Sequence, residues 1–397
     1  MICEKFVPAS KGDCCGCGAC ECLCPKGAIS MLPDEEGFLY PSIDETLCIG
    51  CGICINACDF VKHEKIPSPE SLPMCYIAKH KSQEVRMNSR SGGVFVACAD
   101  WILSQKGVVY GCILDSDLKA VHVRATDYTQ RNKMCKSKYV QSNTTGIFKL
   151  VAEDLKNNKK VLFSGTGCQV GGLLSFLKFK RVGTDNLYTI DIVCHGVPSP
   201  QIYEDFKCWL ERKYKNKLTS FEFRDKSLRG WDGHVESAKF KNKNKKYVGI
   251  LYREIFYTNL CLRPSCYQCK YVTINERVSD ITIADAWGIK VVKPEFNDNK
   301  GVSMFISNST KGKQLLSAIS LDCTVVELPL KGPLFQHNLQ NSSVPKGNRE
   351  EFWRNYFDGG IDSLISNYGK RTLSYRVKEK GKYLLRKILY RKKFYLP

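Results

Sequence analysis

The chain has 397 residues, a formal net charge of +20 and 22 cysteines, and 43% of its residues are hydrophobic. This is globular composition with enough length for two or three domains, so a disordered tail and a small disulfide-dependent protein are excluded. The apolar segment 92–103 is shorter than the roughly 18 residues of a membrane span, which excludes an integral membrane protein. Residues 1–10 lack the apolar segment of a signal peptide, so we expect a cytoplasmic protein with reduced thiols.

Eight cysteines near the N-terminus form two runs of the spacing C-x2-C-x2-C-x3-C, and the second run repeats the first 34 residues later. Bacterial ferredoxins with two 4Fe-4S clusters have this spacing, and three cysteines of one run plus the fourth of the other hold each cluster. Zinc is the alternative, but zinc sites favour two CxxC pairs separated by a dozen or more residues. The spacing therefore predicts one cluster on Cys14, Cys17, Cys20 and Cys58, and another on Cys48, Cys51, Cys54 and Cys24.

Beyond a proline-rich linker at 67–75, apolar runs alternate with helical patterns. Helices are predicted at 93–103, 144–155, 169–179 and 200–214. Strands are predicted at 108–114, 120–123, 161–164, 188–193, 218–223, 235–240 and 280–284. This alternation predicts an α/β domain after the small ferredoxin domain. We therefore divide the chain into a ferredoxin-type domain at 1–66, the linker at 67–75, α/β regions at 76–150 and 151–335, and a basic helical tail at 336–397.

The last 28 residues carry seven lysines and four arginines against one glutamate. Between positions 373 and 389 the apolar residues fall largely on one helical face, which can lie on an anionic membrane or dock an acidic protein. Packing of this helix on its own domain explains the pattern equally well. No nucleic-acid-binding motif accompanies the charge, so we expect no nucleic-acid partner.

The order of motifs along the chain resembles the coenzyme F420 hydrogenase/dehydrogenase beta subunit family, in its form with a fused two-cluster ferredoxin module. The resemblance covers roughly residues 10–330. Regions 76–150 and 151–335 correspond to the N-terminal and C-terminal regions of that family. The motifs are Asp34, Gly37, Phe38, Tyr40 and Pro41, then the segments 91–93, 137–142, 165–169, 194–199, 223–226, 263–266, Cys269, 279–282 and 287–288.

The resemblance implies an iron–sulfur flavoprotein oxidoreductase with an α/β flavin-binding domain. Such an enzyme passes electrons from reduced ferredoxin or a similar donor through 4Fe-4S clusters to bound FAD, with FMN as the alternative flavin. The electrons then reach a small substrate that the sequence does not name, and bacterial members of the family often accompany polysaccharide biosynthesis. The alternative is a non-catalytic electron-transfer subunit of a larger redox complex. Together with the basic tail, the resemblance implies that the protein lies in the cytoplasm or at the inner face of the membrane.

Flavin phosphates need backbone N–H donors from glycine and serine loops, and positive charge near the ring stabilises reduced flavin. A dinucleotide fingerprint would require glycine where Val170 stands, so no nicotinamide site is predicted. A simple strand-to-helix turn at Gly165 and a solvated surface charge at Lys138 are the alternatives. The cofactor contacts that the resemblance implies are Ser91, Gly92, Gly93, Lys138, Tyr139, Gln141, Ser142, Gly165 and Thr166.

Four further cysteines are candidates for a third 4Fe-4S cluster, because two follow strands of one sheet and two form a CxxC. The family pattern favours this cluster over zinc or reduced buried thiols, and Cys261 competes as a ligand. His195 can donate a proton to flavin or substrate because imidazole titrates near neutral pH, although a structural histidine is the alternative. The candidate ligands are Cys168, Cys194, Cys266 and Cys269.

Overall fold

The two N-terminal cysteine runs fold into a small module in the computed structural model, which describes residues 10–62, 74–274 and 277–369. The module contains an antiparallel hairpin that pairs Ile29 with Ile43 and Pro33 with Leu39. Phe38, at the end of the hairpin turn, is fully buried. The elements are α1 (Ala19–Leu23), β1 (Ile29–Pro33), β2 (Leu39–Ile43), α2 (Ile53–Asn56) and α3 (Asp59–Lys62), after a 3-10 turn at Lys11–Asp13.

The remaining strands form an eight-stranded mixed sheet in the order β13-β3-β12-β11-β7-β6-β4-β5 and a three-stranded antiparallel sheet in the order β10-β9-β8. In the large sheet β4, β6, β7 and β11 run parallel, and antiparallel strands flank them on both sides. The strands are β3 (Met74–His80), β4 (Val108–Leu114), β5 (Ala120–Ala125), β6 (Val161–Gly165), β7 (Leu187–Ile192), β8 (Leu218–Glu222), β9 (Glu236–Phe240), β10 (Lys246–Gly249), β11 (Ile281–Asp285), β12 (Ser303–Ser307) and β13 (Cys323–Pro329).

Helices cover both faces of the large sheet. The helices that follow the N-terminal module are α4 (Gln83–Asn88), α5 (Val94–Ser104), α6 (Tyr128–Asn132), α7 (Ile147–Lys156), α8 (Gly167–Phe179), α9 (Pro200–Tyr214), α10 (Lys226–Arg229), α11 (Leu251–Tyr257), α12 (Ile289–Val292), α13 (Thr310–Ile319) and α14 (Arg349–Tyr368). Helices α5 and α13 pack with Val109 on one face, whereas α1, α7 and α8 pack with Val108 and Tyr110 on the other, as the two-residue period of a strand requires. Within the described ranges no helix is long and apolar enough to cross a membrane.

A separate aromatic core joins the three-stranded sheet to α9, α11 and α14. Phe206 of α9 is fully buried and contacts the rings of Phe221 and Tyr252. Phe352 and Trp353 of α14 are buried in the same core. Residues 349–368, which the sequence assigned to a basic tail, therefore belong to the folded unit because one face of α14 is apolar. The basic segment 370–397 lies outside the described residues.

Several sequence-based boundaries agree with the structure, and the differences have local causes. Strand β4 and helix α9 have the expected bounds. Helix α7 begins at Ile147 because Gly146, with a φ of +75°, precedes its first turn. Strand β3 begins at Met74, inside the expected linker. Because β4 pairs with β6, the regions on either side of residue 150 contribute to one sheet.

Replacing Phe206 with alanine should lower the free energy of unfolding by about 3–5 kcal/mol, because the change leaves a cavity in the aromatic core. The matched change Phe357→Ala, at a side chain that is 54% exposed, should cost within about 0.5 kcal/mol. Anaerobic urea denaturation of the cluster-loaded protein measures both. Equal effects of the two changes would contradict this description of the core.

Candidate functional site

The two N-terminal cysteine runs form matching loops, and each loop ends in a short helix. Helices α1 and α2 begin directly after Gly18 and Gly52, whose φ angles are +75° and +68°. A side chain would strain the backbone at either position, so glycine allows the tight turn that brings successive cysteines together. The sequence repeat is therefore a structural repeat.

The structure brings together the four cysteines expected to bind the first cluster. Burial raises the pKa of the Cys20 thiol, and the neighbouring thiols of Cys17, Cys14 and Cys58 raise it further. Burial also raises the pKa of Cys58 to about 11, and Cys17 and Cys14 add to the shift. Iron binding would offset the repulsion between four neighbouring thiolates, because a bound cation stabilises the deprotonated ligand.

The second set of cysteines lies nearer the surface. Cys48 and Cys51 are exposed. Burial raises the pKa of Cys54, and the nearby thiols of Cys51 and Cys48 raise it further. The Sγ of Cys24 accepts a hydrogen bond from the backbone N–H of Ala28 at 3.2 Å. One ligand set is thus covered by the larger unit and the other faces solvent.

A buried arginine fastens the module to the larger unit. Arg263 is fully buried, and its Nε donates to the carbonyl of Cys14 at 2.7 Å. Its Nη2 donates to the carbonyl of Leu39 at 2.9 Å, and its Nη1 donates to Oε1 of Gln141 at 3.0 Å. The guanidinium carbon also lies 4.1 Å from the centroid of the Tyr40 ring. One side chain therefore holds both a ligand loop and the hairpin.

Gln141 extends this contact instead of facing the expected flavin. Its Nε2 donates to the carbonyl of Cys15 at 3.0 Å while its Oε1 accepts from Arg263. Nearby, the hydroxyl of Thr144 donates to the carbonyl of Cys17 at 3.0 Å. Gln141 is not among the residues that line the large cavity described below, so the structure assigns it to docking the ferredoxin module.

Two adjacent glycines of α8 allow the module to approach closely. A Cβ on Gly172 would lie 2.7 Å from the Sγ of Cys17, and a Cβ on Gly171 would lie 2.6 Å from a carboxylate oxygen of Asp59. Asp59 directly follows Cys58, and its carboxylate accepts a short hydrogen bond from the Tyr271 hydroxyl. The sequence analysis missed this role, although a glycine pair inside a helical pattern was a signal for it.

The four candidate ligands of a third cluster line one small cavity of about 40 Å³. Two of them follow adjacent parallel strands, β6 and β7, whose C-terminal ends meet at one sheet edge. The other two lie on and just after a 3-10 turn at Pro264–Gln268. The competing Cys261 is buried elsewhere and faces the carbonyl of Ile255 at 3.8 Å. The convergent thiols are those of Cys168, Cys194, Cys266 and Cys269.

The donor type and spacing of these sets fit iron–sulfur clusters. In the part of the chain that the structure describes, no three His, Cys, Asp or Glu side chains are arranged around a single metal ion. A 4Fe-4S cluster needs a different arrangement of ligands, because each of its four thiolates binds a different iron. The four ligand sulfurs are therefore farther from one another than the ligands of a single metal ion. The cysteine spacing of the two N-terminal sets is that of 4Fe-4S clusters rather than zinc.

Cys15 lies between the first and third ligand sets. It is 6% exposed and lines the small cavity. Hydrogen-bond contacts with Cys168 and Cys17, together with burial, raise the pKa of the Cys15 thiol well above its usual range. The contact with Cys15 lowers the pKa of Cys168, and the hydroxyl of Thr166, 3.2 Å from its Sγ, lowers it further. The Cys15 side chain therefore contacts both ligand sets.

A large cavity of about 630 Å³ opens at the C-terminal ends of β4, β6, β7 and β11. Residues 111–112, 164–166, 192–194 and 283–285 line it from successive strands. It shares Thr166, Cys194 and His195 with the small cavity. Both its size and its position are those of ligand sites in open α/β sheets.

Most of the residues expected to contact flavin converge on this cavity. Gly92 does not line it, because Gly92 packs between β3 and β12. A Cβ there would lie 2.1 Å from the carbonyl oxygen of Ala78, and its N–H donates to Oγ of Ser303 at 2.9 Å. The lining residues from the expected set are Ser91, Gly93, Lys138, Tyr139, Ser142, Gly165 and Thr166.

Lys138 lines the cavity, but its ammonium group is bound to its own loop. Burial lowers the pKa of this lysine. The contacts of its Nζ give the group a role in ordering the loop, which the sequence pattern could not show. The acceptors are the carbonyls of Lys133 at 3.2 Å, Met134 at 2.9 Å, Cys135 at 2.8 Å and Lys136 at 3.3 Å.

A hydrogen-bond network holds Ser142 and the first turn of α8 in place. The hydroxyl of Ser142 lies 3.0 Å from Nδ1 of His122 and accepts a hydrogen bond from Nε2 of Gln169 at 3.0 Å. The Oε1 of Gln169 accepts from the backbone N–H of Thr166 at 3.0 Å, as part of a capping box. The capping box thereby fixes the conformation of the helix start that borders the cavity.

His195 has contacts at both ring nitrogens. Its Nε2 lies 2.7 Å from Oδ1 of Asn259, and its Nδ1 lies 3.2 Å from Oδ1 of Asn338. Burial lowers its pKa, although both asparagine contacts oppose the shift. These contacts favour the structural alternative over a free proton donor.

The site also contains residues that sequence reasoning did not assign. Arg90 and Asp285 line the large cavity together with Arg224 and Trp287, which were noted only within motifs. Arg90 directly precedes the Ser-Gly-Gly turn, and this position was the signal that could have identified it.

Comparison with known proteins identifies two families along the chain. The family described as the C terminus of the coenzyme F420 hydrogenase/dehydrogenase beta subunit matches residues 158–329, and the 4Fe-4S dicluster domain matches residues 13–60. The chain is 29% identical over 164 residues to the coenzyme F420-dependent sulfite reductase of Methanocaldococcus jannaschii, a match that covers 41% of this chain and 25% of that protein. This chain thus spans a quarter of the sulfite reductase.

An uncharacterized ferredoxin of the same organism is 40% identical over 58 residues, which cover 15% of this chain and 71% of the ferredoxin. Among solved structures, a chain of the F420-reducing NiFe hydrogenase complex from Methanosarcina barkeri, studied by xenon derivatization, is similar with a TM-score of 0.45 and 14% identity. That similarity covers 78% of this chain and 100% of the hydrogenase chain.

The cysteine sets and the dicluster match define an iron–sulfur protein that carries a ferredoxin-type domain. Residues 158–329 match the C-terminal domain of the coenzyme F420 hydrogenase/dehydrogenase beta subunit family, and residues 13–60 form a 4Fe-4S dicluster ferredoxin domain. The resemblance expected from the motifs is confirmed, as are the 4Fe-4S clusters of the ferredoxin domain.

Replacing Gly172 with alanine should displace the loop of Cys17 and remove about four irons per chain, the content of one cluster. The matched change Gly183→Ala places its Cβ where no atom lies within 4 Å, so the iron content should not change. Iron and sulfide assays after anaerobic purification measure both. Full iron content in Gly172→Ala would contradict the close approach of α8 to the first ligand set.

Proposed function

We propose that the chain is an iron–sulfur flavoprotein oxidoreductase that passes electrons from a reduced ferredoxin or a similar donor through three 4Fe-4S clusters to a flavin and on to a small substrate. The observation that supports this most is the position of the third cysteine set. Its small cavity shares lining residues with the large cavity and contacts the first ligand set through Cys15.

Electrons would enter at the second ligand set. Cys48 and Cys51 are exposed, and the neighbouring side chains of Leu47 and Ile49 are 49% and 61% exposed. A small apolar surface beside an exposed cluster suits the brief, small-area encounters of redox proteins. The first ligand set would receive the electrons next and lies against α8.

The flavin would occupy the large cavity. A flavin couples one-electron carriers to two-electron chemistry, and FAD is the form we propose, with FMN as the alternative. The start of α5 after Gly93 and the start of α8 at Thr166 present backbone N–H groups for a phosphate. The edge of the flavin that receives electrons would lie near Cys194, since Cys194 lines both cavities.

A second candidate function is a non-catalytic electron-transfer subunit of a larger complex. It is favoured by the sulfite reductase relative, because the matched segment is a quarter of that protein and the rest of its length lies outside the match. Steady turnover of a small acceptor by the purified chain would exclude this candidate.

A substrate from polysaccharide biosynthesis and a cytoplasmic or membrane-peripheral location are expectations that we retain from the sequence.

The purified wild-type protein should contain about twelve irons and about one flavin, since three 4Fe-4S clusters hold four irons each. Cys194→Ala should reduce the content to about eight irons and slow the reduction of the flavin by dithionite-reduced ferredoxin. Cys261→Ala is the matched control, because that thiol is buried outside the small cavity, and it should keep the wild-type content.

Iron, sulfide and flavin assays give the contents, and anaerobic stopped-flow absorption gives the reduction rate. A wild-type protein with about eight irons and no flavin would overturn the proposed function, since only the two ferredoxin clusters would then be present. If Cys261→Ala loses iron while Cys194→Ala keeps its full iron content, Cys261 rather than Cys194 would be the cluster ligand.

A further inference from the structure

Two arginines at the β11 end of the large cavity have buried N–H groups that make no hydrogen bond to the described residues. These are all three guanidinium nitrogens of Arg90 and the Nε of Arg224. The side chains are 10% and 5% exposed. Buried guanidinium groups in native proteins are nearly always paired, so a group of unpaired N–H donors facing a cavity indicates a ligand that supplies the acceptors.

The charges at this end of the cavity do not balance. Asp285 faces both arginines, with its Oδ2 at 3.3 Å from Nη2 of Arg90 and 3.9 Å from Nη1 of Arg224. Its other oxygen accepts a hydrogen bond from Nε1 of Trp231 at 2.8 Å. One carboxylate therefore faces two guanidinium groups. An anion in the cavity would complete the pairing.

An aromatic platform holds the two arginines on one side. Their guanidinium carbons lie 5.6 Å and 5.0 Å from the ring centroid of Trp287, for Arg90 and Arg224 respectively. Trp287 in turn stacks on Trp231, with centroids 4.9 Å apart and planes 5° from parallel. Contact with a ring face stabilises a guanidinium without using its N–H groups, which leaves those groups for a ligand.

We propose that Arg90 and Arg224 form a subsite for a phosphate group of the ligand that occupies the large cavity. Several terminal oxygens of a phosphate can accept from two guanidinium groups at once, in the paired geometry that arginine favours. The buried hydroxyl of Ser89 lines the same cavity and makes no hydrogen bond to the described residues, so it supplies a further donor. The subsite gives Arg224 of the motif at 223–226 a role that the proposed electron route does not supply.

The phosphate can belong to the flavin or to a separate phosphorylated substrate. The inference rests on the proposed function for its assignment of the cavity to a redox ligand. The test uses the full chain, purified without oxygen, with Arg90→Gln and Arg224→Gln as variants. Arg229→Gln removes an exposed arginine five positions after Arg224 and is the matched control. Iron content equal to wild type shows that each variant is folded.

Two measurements distinguish the sources, namely flavin per chain after gel filtration and the affinity for inorganic pyrophosphate by calorimetry. If the flavin supplies the phosphate, both variants should retain flavin about ten-fold less than the control. If a separate substrate supplies it, the variants should keep their flavin, and pyrophosphate should bind them about ten-fold more weakly than wild type. Arg90→Lys and Arg224→Lys should show smaller losses of the same kind, because lysine keeps the charge without the paired donors.

The subsite would be overturned if the glutamine variants retain flavin as well as the wild type and also bind pyrophosphate with the same affinity. A wild-type protein without flavin would overturn the proposed flavoprotein, whereas pyrophosphate binding that depends on both arginines would still support the subsite. If a glutamine variant does not fold, the lysine variant at the same position provides the same comparison with wild type.

Discussion

The buried guanidinium of Arg263 is the contact on which the relation between the two parts of the chain depends. It joins the carbonyl of Cys14 in the first ligand loop and that of Leu39 in the hairpin to Gln141 of the larger unit. The backbone of the first ligand loop must lie very close to Arg263 to make these hydrogen bonds. Gly16, with a φ of +70°, would place a Cβ 2.8 Å from Nη1 of Arg263, so a side chain is excluded there by both conformation and space. Because the charge is buried and hydrogen-bonded to both parts, any displacement of the module leaves unpaired donors behind.

This docking places three sets of thiols in sequence from the surface to the interior. Two cysteines of the second set are exposed, the first set lies against the glycines of α8, and two cysteines of the third set follow β6 and β7. Parallel strands collect their loops at one edge, which is why a cysteine on α8 and another after β7 can converge beside a cavity lined by four successive strands. Cys15, which has no counterpart in the second run, occupies the gap between two of the sets.

The sequence predicted what depends on local spacing. The cysteine repeat identified the ferredoxin ligands, an apolar run identified β4 and a helical period identified α9, because neighbouring residues determine those patterns. Strand β3 was missed because it lies between β12 and β13, strands more than 200 positions later in the chain, and such pairing leaves no local signal. The hydrogen-bond partners of individual side chains could not be predicted from the sequence either. Lys138 and Gln141 were expected from the resemblance to contact flavin, whereas the ammonium of Lys138 binds carbonyls of its own loop and Gln141 binds the ferredoxin module.

The central claim is that the ferredoxin module and the third cysteine set form one electron-transfer path within a single chain. The most direct test is the electron paramagnetic resonance spectrum of the fully reduced wild-type protein compared with that of Cys168→Ala. The account predicts splitting in the wild-type spectrum, from magnetic interaction between the first and third clusters, that disappears in the variant while the ferredoxin signals persist. Identical spectra of the two proteins would contradict it.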